Sequence, residues 1–205
     1  MIISLINQKG GVGKTTVAEN VASTRHLHGE KVLVVDAETQ GSLMQWRSIS
    51  GKEGFDVRHH PTGALKRVVR SRQDLYDHIV VDSPPGMSGV TKSILQVSDL
   101  AIVPVGPSPL DIWSSREVVE YISRARRSNP ALTGRMLICR KIVGTRVARE
   151  AREALASYGF RVFAAEVSQR IAFVESMLSG MSVLAYATRS EAAGEIRRLC
   201  REIFT

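Results

Sequence analysis

Cysteine is scarce in this sequence, which contains only Cys139 and Cys200. The two have no C-x-x-C spacing and no histidine nearby, which excludes a disulfide framework and a zinc site and leaves both as small core residues. Apolar runs of membrane-spanning length are also missing, because Gly, Pro or a charge breaks every long one. The start, Met1-Ile2-Ile3-Ser4-Leu5-Ile6, carries neither a basic n-region nor a small-residue cleavage site. A soluble, cytoplasmic chain is therefore expected. No linker, repeat or low-complexity segment divides it. The histidines His26, His28, His59, His60 and His78 show no metal-site spacing on a shared face. Acidic residues are in deficit: 20 Asp and Glu stand against 28 Lys and Arg, for a net charge of +8, and 21 of the basic residues are arginine. That excess suggests a polyanionic partner.

At 205 residues and 43% hydrophobic, the chain is long enough to bury a sizeable core, and a single domain over 1–205 is expected. Short β-rich runs at 2–6, 31–36, 55–58, 78–82, 100–104, 135–139 and 161–167 read as strands. Helical spacing is found at 15–28, 63–72, 110–127, 146–158, 171–179 and 191–203. This alternation predicts an α/β class, doubly wound, with a mostly parallel sheet and helices on both faces. Ligand sites then fall at the carboxyl ends of the strands.

One such end carries Gln8-Lys9-Gly10-Gly11-Val12-Gly13-Lys14-Thr15-Thr16. The phosphate-loop pattern G-x-x-x-x-G-K-[ST] cradles phosphates in backbone N–H groups, reaches the β/γ oxygens with its lysine and binds Mg²⁺ through its hydroxyl. Gly13-Lys14-Thr15 fits; the leading glycine is replaced by Gln8, while Lys9 precedes two glycines. Strand before and helix after complete the context for a P-loop NTPase fold with ATP and Mg²⁺ as ligands. Two lysines are difficult to seat on one phosphate chain, so Lys9 is expected to point across an interface.

The loop Lys9 to Thr16 matches the deviant Walker A motif of the ParA/MinD superfamily, which the sequence therefore resembles. Asp36-Ala37-Glu38-Thr39-Gln40-Gly41-Ser42 is similar to that family's switch I, and Tyr76-Asp77-His78-Ile79-Val80-Val81-Asp82-Ser83-Pro84-Pro85-Gly86 to its Walker B and switch II. Val103-Pro104-Val105-Gly106-Pro107-Ser108-Pro109-Leu110-Asp111 resembles the proline-rich loop of small ParA-type partition ATPases. The resemblance implies an ATP-dependent sandwich homodimer in which Lys9 of each protomer reaches the other's nucleotide. It implies slow ATP hydrolysis stimulated by a ParB-like or adaptor partner, and non-specific DNA binding that places the dimer on the nucleoid. Thr15 would ligate Mg²⁺, Asp82 would hold it through water and Asp36 would help organise it. Glu38 stands where the family usually has the aspartate that orients the attacking water, and Thr39 replaces a proline. A carboxylate displaced by one methylene shifts by about 1 Å, which can cost on the order of 10²-fold in rate.

Arg140 lies where relatives contact adenine. For DNA, Arg146, Arg149 and Arg152 recur on one face of a predicted helix, and Arg170 lies in a loop that joins the DNA surface in the family. Arg124 with Arg127, Lys66 with Arg70, and Arg197 with Arg201 form other basic pairs. The expected cargo is a plasmid or chromosomal element. The alternatives are a protein cargo, such as a carboxysome, a chemoreceptor cluster or a conjugation complex, and a MinD-like membrane-associated ATPase. Against the last, the apolar positions of the final helix suit core packing, so no membrane partner is expected.

Overall fold

The structure, a computed structural model, describes residues 1–50 and 54–205, with the side chains of Ala148 and Arg149 also outside the description. In chain order the elements are β1 (Ile2–Leu5), α1 (Lys14–Leu27), β2 (Val32–Asp36), α2 (Ser42–Ser50), β3 (Asp56–His59), α3 (Leu65–Arg70), β4 (His78–Asp82), α4 (Gly89–Leu95) and β5 (Leu100–Val105). There follow α5 (Pro109–Ala125), β6 (Thr133–Lys141), α6 (Arg146–Ala156), β7 (Arg161–Val162), β8 (Val167–Ser168), α7 (Ile171–Leu178), α8 (Val183–Tyr186) and α9 (Glu191–Ile203). The strands form a sheet in the order β3-β2-β4-β1-β5-β6-β7, with β8 also on β6. Their pairings are parallel.

Successive strand residues face opposite sides, and both sides are buried, which is why the strands read as continuous Val/Ile/Leu runs. Ile3, Leu5, Val34, Val80 and Ile102 pack on one face with Val17 and Val21 of α1 and Ile196 and Leu199 of α9. Leu33, Val35, Ile79, Val81, Ala101 and Val103 pack on the other with Ile94, Val118, Ile122 and Leu155 from α4, α5 and α6. The apolar stripe of α9 is therefore occupied by the core. No helix among the described residues is long and apolar enough to cross a membrane.

The structure departs from the sequence reading in three places. The strand expected at 161–167 is two short strands, because the amides of Ala164 and Ala165 donate to the Glu202 carboxylate instead of to β6. The helix expected at 63–72 shortens to Leu65–Arg70 and ends in a 3₁₀ turn, Gln73–Leu75. Helices α2, α4 and α8 had no expectation. The first turn of α2 is held from a distance, by Asp36 Oδ2 accepting from the amides of Leu43 and Met44. Helix α5 carries its own start signal: Ser108 caps it by accepting from Asp111 N, and Pro109 follows.

Candidate nucleotide-binding site

The phosphate loop leaves β1 and enters α1 through two residues in the left-handed region, Gly11 at φ +70° and Gly13 at φ +101°. A side chain at either would be strained. Asn7 anchors the loop, donating to Pro104 O at 2.6 Å and accepting from Lys9 N at 3.0 Å. Gly86 N donates to Gln8 O at 3.0 Å, so switch II is tied to the same loop. The first turn of α1 has no acidic residue, which leaves its positive end open to an anion.

Lys14 is buried, and its ammonium donates to Lys9 O at 2.9 Å. Burial lowers its pKa, opposed by the charges of Asp82 and Glu38. Thr15 Oγ1 donates to Asp82 Oδ2 at 2.7 Å. Burial pushes the Asp82 carboxyl up to about 7; the Thr15 hydroxyl acts against this and the nearby Asp36 adds to it. Asp82 Oδ1 and Ser83 Oγ are buried without hydrogen-bond partners. Orphaned oxygens beside a threonine hydroxyl fit a hydrated divalent cation, whose water would supply the missing donors and whose charge would favour the ionised carboxylate.

Asp36, at the end of β2 in register with Asp82, is fully buried. Its Oδ1 accepts from Glu38 N at 3.1 Å and its Oδ2 from Leu43 N at 2.9 Å and Met44 N at 3.3 Å. These bonds make it an organiser of the switch I loop. Glu38 is half-buried and lines one cavity of about 360 Å³ with Lys14, Thr15, Thr16, Gly10, Gly11 and Gly13. The far wall of that cavity is Cys139, Arg140, Val167, Ser168, Gln169, Arg170, Phe173 and Val174. A phosphate loop at one end and an apolar wall with polar edges at the other match a nucleotide's phosphates and base. Arg140 holds a left-handed backbone, φ +56°, and donates to Gly11 O at 2.9 Å. Val12 is buried beneath the loop.

Sequence reasoning missed His59, whose Nε2 lies 2.8 Å from Glu38 O. The only signal for it is the β2–β3 register, which sets His59 beside Asp36. Lys9, expected to point outward across an interface, is turned in the single chain onto α5. Its ammonium donates to Leu110 O and to Asp111 Oδ1, both at 2.9 Å.

The arginines proposed for DNA lie apart from this cavity or are already engaged. Arg146 is exposed and bonds Glu150 at 2.6 Å; the side chain of Arg149 lies outside the described residues. Arg152 donates to Phe163 O at 2.8 Å and Glu166 Oε1 at 2.6 Å, and Arg170 donates twice to Glu195 Oε1, at 3.0 and 2.8 Å. Among the described residues no carboxylate is within ion-pair distance of Lys66, Arg67, Arg70, Arg197 or Arg201.

A parallel doubly wound sheet with a glycine-rich loop between β1 and α1 defines a P-loop nucleotide-binding protein. The family model described as the CobQ/CobB/MinD/ParA nucleotide binding domain matches residues 3–183, and the chain belongs to that family. It is 30% identical to the maintenance of carboxysome distribution protein A of Halothiobacillus neapolitanus, over 98% of this chain and 95% of that one. It is 27% identical to the chromosome-partitioning ATPase Soj of Thermus thermophilus, over 98% and 94%. Among solved structures, the septum site-determining protein MinD of Pyrococcus horikoshii complexed with Mg-ADP superposes with a TM-score of 0.79 at 20% identity, covering 100% of this chain and 96% of that one.

Proposed function

We propose that this chain is an ATPase that binds ATP and Mg²⁺, dimerises face to face on ATP, and positions a cargo along DNA. The observation that carries the nucleotide reading is the Thr15–Asp82 pair with its orphaned carboxylate oxygen, Thr15 itself lining the cavity with Lys14 and Glu38. In this reading the amides of Gly10 to Thr16 and the Lys14 ammonium hold the triphosphate. Thr15 and Asp82 hold the cation, directly and through water, and Glu38 orients the attacking water. Bound Mg²⁺ supplies neutralising charge on the β- and γ-phosphates. Lys9 would reach the partner's nucleotide.

Support for a dimer comes from the rim. Leu110 and Trp113 at the start of α5, Ile142, Val143 and Val147 before and on α6, and Val174 on α7 are all exposed. Of these, Ile142, Val147 and Val174 line the nucleotide cavity or the one beside it. Exposed apolar side chains gathered around a ligand site mark a surface that becomes covered.

The cargo reading follows the relatives. Similarity to the carboxysome distribution protein over nearly the whole of both chains favours a protein cargo of that kind over the plasmid or chromosomal element. The partner that stimulates hydrolysis is then an adaptor on that cargo. Arg197, which donates only to Thr188 O, and Arg201, neither with a carboxylate partner among the described residues, together with exposed Arg146, supply a phosphate-binding charge for non-specific DNA.

Sedimentation of the wild-type chain with ATP, ADP and neither nucleotide, alongside Lys9→Ala and Lys14→Ala, tests the enzyme. Dimer is expected only with ATP, lost in Lys14→Ala and weakened but still measurable in Lys9→Ala, and a wild-type monomer under every condition sinks the dimer. Retention of duplex DNA should require ATP and weaken steeply between 50 and 200 mM salt, as counterion release demands; ATP-independent retention rejects that surface. Imaging carboxysomes and plasmids in cells lacking the chain separates the two cargo classes.

A further inference from the structure

The dimer reading sets Lys9 a task that the single chain prevents. To reach a partner's nucleotide its ammonium must leave two bonds of 2.9 Å, one to the carbonyl of Leu110 and one to Asp111 Oδ1. The pair is about one-third exposed on the Lys9 side and about one-quarter on the Asp111 side (35% and 26%). Asp111 is not free to follow. Its Oδ2 accepts from the Ser108 hydroxyl at 2.6 Å, and its amide donates back to Ser108 Oγ at 3.2 Å. Ser108 and Asp111 thus lock each other at the first turn of α5. Gly106 closes the other side: a β-carbon there would stand 3.1 Å from Asp111 Cγ. The carboxylate is therefore a fixed point, and Lys9 is the mobile member of the pair.

Partial burial raises the Asp111 pKa, but hydrogen bonds from Lys9 and Ser108 and the charges of Lys9 and Arg140 outweigh it and hold the carboxyl below the usual range. The charge is thus present at neutral pH, and the contact is an ion pair.

We propose that Asp111 is a positioning residue that retains Lys9 within its own protomer, so that both protomers must release this contact before the ATP-bound dimer forms. The inference rests on the dimer reading and deepens it. It gives the deviant lysine two addresses, one in the free chain and one in the dimer, and makes their difference the threshold for assembly. Because a symmetric dimer needs two Lys9 side chains, the effect enters twice. A partly exposed ion pair worth about 5-fold per protomer, the upper end for such pairs, restrains dimerisation by about 25-fold when both are counted.

The test uses the full chain with a non-hydrolysable ATP analogue and reads the dimerisation constant by sedimentation. Asp111→Asn preserves the shape of the side chain and its bonds to Ser108 while removing the charge, and is expected to tighten dimerisation by about 25-fold. Ser108→Ala removes the cap but leaves the Lys9–Asp111 pair, and is expected to stay within about 2-fold of wild type. In a Lys9→Ala background, Asp111→Asn is expected to have no further effect on association, a result that a merely structural role for Asp111 would not give. Acetylation of Lys9 in the nucleotide-free chain, read by mass spectrometry, should accelerate several-fold in Asp111→Asn. Wild type dimerising on nucleotide while Asp111→Asn matches it overturns the proposal and leaves the dimer reading standing. An effect of Asp111→Asn that persists without Lys9, or unchanged Lys9 acetylation, also overturns it. A wild type and variants that all stay monomeric with the analogue remove the dimer reading and this inference together.

Discussion

Glu19→Gln is the most direct probe of how α1 is built beneath the phosphate loop. Glu19 is 1% exposed, one turn past Lys14, and its Oε1 accepts from Ser23 Oγ at 3.0 Å. Burial pushes its carboxyl up from 4.5 to about 8, against hydrogen bonds from Ser23 and Asn20 that favour the charged form. Between these values the folded chain keeps a proton that the unfolded chain has released. Unfolding free energy then falls as pH rises, by about 1.4 kcal/mol per unit, and the penalty is complete above the folded value. Glutamine preserves the side-chain shape and an acceptor for Ser23 but does not titrate. The stability of Glu19→Gln minus that of wild type should therefore climb between pH 4.5 and 8, by on the order of 5 kcal/mol in total. Urea unfolding followed by far-UV circular dichroism in half-unit pH steps, at constant ionic strength and without nucleotide, measures that difference. Asp82, raised to about 7, adds a decline of the same sign to both proteins and cancels in the subtraction. A difference independent of pH refutes a neutral buried Glu19, and one that shrinks as pH rises refutes the sign.

Three further outcomes follow from close contacts and paired charges. Gly134→Ala should destabilise the fold by about 1–3 kcal/mol, since a β-carbon there lies 2.7 Å from Phe160 Cζ; an unchanged thermal midpoint contradicts that packing. Glu38→Asp should raise phosphate release, by up to about 10²-fold, with ATP affinity unaltered in fluorescent-nucleotide titrations; equal turnover removes Glu38 from the role of water-positioning carboxylate. Arg170→Ala should lower the thermal midpoint, because it strands Oε1 of Glu195, a carboxylate only 4% exposed whose Oε2 keeps the Ser168 amide, at a cost of about 2 kcal/mol, whereas Arg146→Ala should leave the midpoint unchanged. DNA retention lost by Arg146→Ala at an unchanged midpoint reports a contact, and a midpoint unmoved by Arg170→Ala denies the buried pair.

What could be read from the sequence was what neighbours in sequence determine. The phosphate loop lies within nine consecutive residues, and its two left-handed glycines, its lysine and its hydroxyl need nothing from elsewhere to be recognised. The buried strands announced themselves for the same reason, being runs of apolar residues, two of which, β2 and β4, end in the aspartates of the site. The features that stayed hidden are each fixed by a group outside the element itself. Helix α2 is started by Asp36, the split of β7 from β8 is made by Glu202, and switch I is steadied by His59 on the adjacent strand. Lys9 shows the same limit at the centre of the site: its own loop marks it as unusual, but its resting partner lies on α5, beyond the whole of β2 to β5. Arg152 and Arg170 complete the argument. Helical spacing and loop position correctly bring basic side chains toward a surface, but whether an arginine is free for a phosphate depends on carboxylates such as Glu166 and Glu195, which other elements deliver. Spacing locates where charge is displayed, and the tertiary partner decides how much of it remains to be used.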